Sequence, residues 1–195
     1  MSVGTTLSRI AEIETALVPP APTTGGAEAS AGSRFARVLG GTSTVGGASE
    51  AGMRAVQFAR GEVGQAEQPP GSNDSPRIAQ YREAVAGAGV GPWCADFVSW
   101  AARQAGAPLG DNGEGFQSVS AIWEWAQANG RAVPASSGPP QPGDLILWGG
   151  EHVGIVEAVL PDGSIRTIEG NSSDRVSQRT YGPDGGGATG YVRLG

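Results

Sequence analysis

Apolar residues recur at helical spacing through the first two thirds of the chain and at strand spacing through the last third. Leu7, Ile10, Ile13 and Leu17 mark a short amphipathic segment, one that needs a surface to dock on if it is to stay helical. From Val18 to about Ser33 the chain is rich in Pro, Ala, Thr, Gly and Ser, SRFARVLGG has room for one helical turn, and GTSTVGGASEAG is again composed of small residues. Large apolar residues are too sparse here to build a core. Residues 1–50 therefore read as a flexible Pro/Ala/Gly-rich segment and residues 51–195 as the folded domain. The first helix is either a docking element or an unstructured terminus.

In the folded part, MRAVQFARGEVG places Met53, Val56, Ala59 and Val63 on one helical face, with Phe58 beside it, and stops at Gly64. EQPPGSNDS is a loop by its Pro-Pro-Gly and Asn-Asp content. SPRIAQYREAVA predicts a helix entered at Pro76, with Ile78, Tyr81 and Val85 facing inward. GPWCADFVSWAARQAG, residues 91–106, predicts the next, with Phe97, Val98, Ala101, Ala102 and Ala105 on its inner face and Gly106 at its end. A glycine-rich loop at residues 110–115 leads to a fourth helix, VSAIWEWAQANG, which ends at Gly130. After Pro134 the period changes to two. QPGDLILW reads as a turn and a buried strand, EHVGIVEAVL as a second strand, and PDGS as a hairpin turn into SIRTIEGN. RVSQRTYG and ATGYVRL close the sheet. Helices first and an antiparallel sheet after them predict an α+β domain.

Composition narrows the function classes. The formal charge is −6 and all thirteen basic residues are arginine, without a basic cluster. No nucleic-acid or anionic-membrane surface is predicted. No apolar run reaches membrane-spanning length, and the N-terminus lacks the basic start and apolar stretch of a secretory signal. One cysteine excludes an intrachain disulfide, and one cysteine with one histidine leaves too few soft ligands for zinc.

That cysteine, Cys94, falls in the first turn of the third helix, where unpaired N–H groups and the positive end of the helix dipole favour an anion. It is either a nucleophile or a small buried apolar residue. The single histidine, His152, opens the second strand, and is either its base or a strand-edge residue with no role. A base needs a third group to orient its ring; Glu169 and Asn171, two apart on a strand, share a face. If Leu160 pairs near Ser164, His152 falls opposite about residue 172. Asn171 is then closest, and a bulge at Gly170 would bring Glu169 into reach.

PWCADFVSW, PGDLILW, EHVGIVEAV and TIEGN occur here in that order. Together they resemble the CHAP family of cysteine- and histidine-dependent amidohydrolases and peptidases, from about residue 52 to the C-terminus. The resemblance implies a papain-like fold and hydrolysis of peptidoglycan, at the sugar–peptide amide or within the stem peptide or cross-bridge. It assigns Cys94 as nucleophile, His152 as base and Glu169 as the residue orienting it, with Asn171 at a polar position of the family. Asn73 matches an asparagine recurring in some members, though ordinary turn chemistry also accounts for it. Trp93 and Trp148 flank the nucleophile helix and the strand before His152, and are expected to line a groove. Packing accounts better for Trp100, Trp123 and Trp125. Some members bind calcium through an acidic loop; GSNDS has one acid, Asp74, so neither metal nor cofactor is expected.

A wall hydrolase without a secretory signal needs another route to the cell wall, periplasm or extracellular space. The amphipathic start and linker weakly resemble the N-terminal segments of bacterial flagellum-associated wall hydrolases, which makes residues 1–50 a candidate export or docking segment for flagellar or phage machinery. The competing functions are a cysteine amidohydrolase acting on a non-wall amide and an idle domain that binds wall peptide or scaffolds a machine. An intact Cys94, His152 and Glu169 argue against the idle domain, since binding needs no nucleophile.

Overall fold

The computed structural model describes residues 47–195; the amphipathic stretch and linker read in the sequence lie outside the described residues up to Gly46. Among the described residues four helices come first, α1 (Glu50–Gly61), α2 (Pro76–Arg82), α3 (Cys94–Gln104) and α4 (Val119–Ala128). Six strands follow, β1 (Ala132–Pro134), β2 (Leu145–Trp148), β3 (His152–Val159), β4 (Ile165–Glu169), β5 (Ser177–Tyr181) and β6 (Gly190–Val192). They form one antiparallel sheet in the order β1-β6-β2-β3-β4-β5. This is an α+β layout consistent with a papain-like fold. The short strand β1, which has only three residues, was not expected from the sequence.

The helices begin where side chains can cap them. Ser49, Ser75 and Ser118 accept N–H bonds from the first turns of α1, α2 and α4, each cap contributing about 1 kcal/mol. Ser49 also donates to the Leu194 carbonyl, tying the start of α1 to the far end of the chain. The inward face of α1 keeps Val56 and Ala59 of the stripe its periodicity predicts but not the rest of it. Met53, Phe58 and Val63 are exposed, while Ala51, Gly52, Ala55, Val56 and Ala59 are buried. The small-residue face wins because α1 packs closely: a Cβ on Gly52 would lie 3.0 Å from the Gly143 backbone. Longer side chains on that face would force the helix outward.

The main core lies between the helices and one face of the sheet. It joins Ile78, Tyr81, Phe97, Val98 and Ile122 to Leu145, Leu147, Val153, Ile155 and Ile168. Each large side chain removed from water there contributes roughly 1.5–3 kcal/mol. Strand alternation sends Ile146, Val156, Ile165 and Tyr191 into a second cluster on the other face, against which Trp148 packs. Glu62, just past α1, accepts both an Arg77 fork and the Tyr81 hydroxyl, locking α2 to α1.

The β3–β4 hairpin sets the site. Its turn forms as read, with Leu160 N–H donating to Ser164 O at 2.8 Å. Near the turn Val159 pairs with Ile165 and Ala158 with Arg166, but beyond it Val156 pairs with Thr167 and Ile155 with Ile168. The extra residue is Glu157, so the bulge sits on β3 and not at Gly170. Glu157 is buried and accepts from Arg60 of α1 (2.5 Å), Arg166 of β4 (2.6 Å) and Gln178 of β5 (2.9 Å). Gly170 has a packing role instead: a Cβ there would lie 2.5 Å from Phe97 Cβ and 3.0 Å from Trp93 Cζ3.

Candidate active site

The bulge decides which side chains meet. Carried on past Ile155–Ile168, the observed register sets Gly154 opposite Glu169 and His152 opposite Asn171. Directly opposed residues share a face, so Glu169 comes to the face that carries His152. Without the extra residue the count would be one off, and Glu169 would point to the other side. Gly154 leaves the space the carboxylate occupies, since a Cβ there would lie 2.6 Å from Glu169 Cγ. Glu169 thus lies over Gly154 and reaches His152, with Oε2 2.9 Å from Nε2. Its other oxygen accepts from Thr167 Oγ1 (2.5 Å) and the Tyr181 hydroxyl (2.9 Å). The carboxylate is almost fully buried, and every bond it makes restrains it.

Cys94 opens α3 and is buried. Trp93 precedes it as N-cap with φ −116° and ψ 16°, and no side chain among the described residues caps the helix there. The first-turn N–H groups are therefore without a side-chain acceptor among the described residues. Nε2 of His152 faces Glu169, leaving Nδ1 as the ring nitrogen for Cys94.

The titration of the pair reflects this arrangement. Burial works to lower the His152 pKa, but hydrogen bonding to Cys94 and Glu169 and the attraction of both outweigh it and push the value up to about 9. Burial works to raise Glu169, yet the hydrogen bonds from His152 and Thr167, with the charge of His152 and the Tyr181 hydroxyl, hold it below the usual carboxylate range. Tyr181 is pushed up to about 12, by burial first and by the adjoining carboxylate second. An ionised Glu169 beside a protonated His152 is the favoured state.

The other residues singled out in the sequence divide. Trp148 stacks on His152, with ring centroids 5.4 Å apart at 29°, and its indole N–H donates to Gly185 O at 2.8 Å. It walls one side of the imidazole. Trp93 is not a groove wall. It is fully buried, stacks on Tyr81 at 5.9 Å and donates its indole N–H to Glu67 at 2.9 Å; its rings fill the space under α3. Asn171 and Asn73 both have left-handed backbones, φ 54° and 53°, which asparagine tolerates. In one of the two orientations of its amide, Asn171 donates to Asn73 Oδ1 at 3.4 Å. Asn171 bonds this neighbourhood rather than the imidazole, so the ring-orienting contact in this geometry is that of Glu169.

Three contributors escaped the sequence reading. Thr167, two residues before Glu169 on the same face, was legible from strand alternation. Tyr181 depends on β5 pairing with β4 and was not. Trp123 lines, with Ser120, Glu124, Gly149, Gly150 and Thr189, a cavity of about 380 Å³ beside the turn that leads into His152; its burial was expected but not this cavity. Among the described residues no three His, Cys, Asp or Glu side chains are grouped to hold a metal ion, and no helix is long and apolar enough to cross a membrane.

No curated protein matches the sequence significantly. A family comparison does give a match, over residues 86–171, the stretch that contains Cys94, the β2–β3–β4 hairpins, His152, Glu169 and Asn171. That match is to the CHAP domain, the domain of cysteine- and histidine-dependent amidases and peptidases that the sequence motifs resemble.

Proposed function

We propose that the protein hydrolyses an amide bond of peptidoglycan, with Cys94 as nucleophile, His152 as base and then acid, and Glu169 as the residue that orients the imidazole. The observation that carries this reading is the 2.9 Å contact of a buried Glu169 with His152, whose pKa is raised by Cys94 and Glu169 together. Such a chain of groups keeps a thiolate and an imidazolium side by side.

In the proposed reaction His152 takes the Cys94 proton and the thiolate attacks the amide carbonyl carbon. The oxyanion is met by first-turn N–H groups of α3, including that of Cys94. The tetrahedral intermediate collapses as the C–N bond breaks, and the imidazolium gives its proton to the leaving amine. A water that loses its proton to His152 then attacks the thioester, releasing the carboxylate product and the thiol. Substrate runs past Trp148, which shields one face of the ring.

The test is digestion of purified peptidoglycan by the full chain and by Cys94→Ala, with products read by mass spectrometry. Soluble fragments from the wild type alone support the reading, and their new termini distinguish a muramoyl-peptide amidase from an endopeptidase of the stem or cross-bridge. No fragments from a folded wild-type protein would overturn the wall substrate and turn attention to other amides. As part of the same reading, the protein works in the cell wall, periplasm or extracellular space and residues 1–50 serve delivery. Unchanged export after deletion of residues 2–45 would remove that role.

A further inference from the structure

Glu67 lies in the loop between α1 and α2, has no place in the reaction above, and is almost fully buried at 3 % exposure. No cation among the described residues bonds to it. Instead its two oxygens collect N–H donors from three separate segments. Oε1 accepts from the indole of Trp93 at 2.9 Å, and Oε2 from the backbone N–H of Asn73 at 2.8 Å. With the Asn171 amide turned to satisfy its neighbours, its NH2 donates to Glu67 Oε1 at 3.3 Å and its oxygen accepts from the backbone N–H of Trp93 at 3.3 Å.

The carboxylate is presented from a fixed backbone. Gly64 N–H donates to Val176 O, Val176 N–H to Gln65 O, and Glu67 N–H to Asp174 O, with Ala66 bridged to Arg175. Residues 64–67 are thereby laced to the chain that leaves β4. What the carboxylate holds is the seam of the site. On one side is Trp93, whose peptide leads directly into Cys94. On the other is Asn171, two residues past Glu169 and opposite His152 in the register.

We infer that Glu67 is a positioning residue, which acts through Asn171 and Trp93 to hold the front of the nucleophile helix at bonding distance from His152. Buried donors need acceptors, and a carboxylate is the one side chain that accepts on both oxygens without donating. A glutamine of the same shape turns one oxygen into an NH2 group. That group faces either the Asn73 N–H or the Trp93 and Asn171 donors, and the seam loses a bond it cannot replace. Small displacements of a nucleophile from its base are costly out of proportion to their size.

This inference rests on the reading of Cys94 and His152 as a nucleophile and base, but its test needs no peptidoglycan. The rate of alkylation of Cys94 by iodoacetamide is measured against pH in the full-length wild type, Glu67→Gln, Asn171→Gly and the double variant, with folding followed by circular dichroism. Glycine keeps the left-handed backbone of residue 171 and removes only the amide. The wild type is expected to stay reactive well below neutral pH, as a thiolate–imidazolium pair does. Glu67→Gln should move that acidic limb upward by about one pH unit, making alkylation near pH 6 roughly tenfold slower. Asn171→Gly should do the same, and the double variant should lose no more than either single one.

A folded Glu67→Gln with the wild-type profile would overturn the inference, as would additive losses in the double variant, which indicate separate structural roles. Should Glu67→Gln not fold, Asn171→Gly decides, and a wild-type profile there overturns it. If the wild type itself has no acidic limb, the nucleophile–base reading and this inference fall together.

Discussion

Gly154→Ala tests the central contact of the site without replacing any group proposed to act in it. Gly154 is not among the residues with a left-handed backbone, so alanine brings only a methyl group. That methyl would lie 2.6 Å from Glu169 Cγ, against the 3.4–4 Å of ordinary contact. Glu169 cannot step aside freely, being buried and bonded to His152, Thr167 and Tyr181. Overpacking of this kind costs about 1–3 kcal/mol. The carboxylate is expected to be pushed off His152, which leaves burial to lower the His152 pKa and Cys94 alone to raise it. The value should fall from about 9 by about one pH unit or more, or ~1.4 kcal/mol of differential interaction. The assay is the pH profile of Cys94 alkylation beside that of substrate turnover, with Tm recorded in each buffer. The upper limb should move down and turnover should fall by about tenfold or more. In a Glu169→Gln background the same alanine should have little further effect. A folded Gly154→Ala protein with wild-type turnover and an unmoved limb would refute the argument that Glu169 reaches His152 across this glycine.

Three other predictions follow from the same coordinates. Tyr181→Phe and Thr167→Val each remove one of two hydroxyl donors from Glu169 and should each cost about 1 kcal/mol of stability with less than tenfold loss of turnover. The double variant leaves a buried oxygen without a donor and should approach Glu169→Gln, whereas full activity in it would show the hydroxyls to be incidental. Since folded His152 titrates at about 9 rather than its ordinary 6.5, its contribution to stability is complete below pH 6.5 and lost as pH rises through 9. Tm should fall across that window in the wild type and less steeply in His152→Asn; parallel curves would contradict the shift. Asp96 is fully buried with Oδ1 unpartnered among the described residues, and burial pushes it up to about 6, against its hydrogen bond from Gln117 and the charge of Arg82. A raised carboxylate makes stability fall as pH climbs from 3.8 through 6, so Asp96→Asn should be more stable by about 1–3 kcal/mol at pH 7. Urea unfolding decides, a less stable variant being the contrary result.

Periodicity alone located α2, α3 and α4 and the β2, β3 and β4 strands, because each needs only one apolar face and a local stop signal. The same reasoning placed Cys94 at the front of a helix and His152 at the start of a strand, since the apolar stripe of GPWCADFVSWAARQAG and the strand pattern of EHVGIVEAVL are local features. It held only in part on α1, where Val56 and Ala59 are buried as read but Ala51, Gly52 and Ala55 complete the inward face and Met53, Phe58 and Val63 stay outside. Close approach to the backbone at Gly143 depends on a partner about ninety residues away by the chain numbering. It also failed on Trp93, whose burial beneath α3 requires Tyr81 and Glu67 to be in place.

The contact of Glu169 with His152 turned on a single count. The PDGS turn and the Leu160–Ser164 pairing are local turn chemistry and were readable. Whether Glu169 or its neighbours would then face His152 depended on one extra residue in β3, and nothing in EHVGIVEAVL marks which residue that is. Glu157 takes the bulge because a buried carboxylate must find donors, and its donors come from α1, β4 and β5. The residues for the proposed chemistry are written in the chain. Their alignment is decided only when Arg60, Arg166 and Gln178 converge on Glu157, because register has a period of two and a local pattern cannot count a bulge held open from elsewhere in the fold.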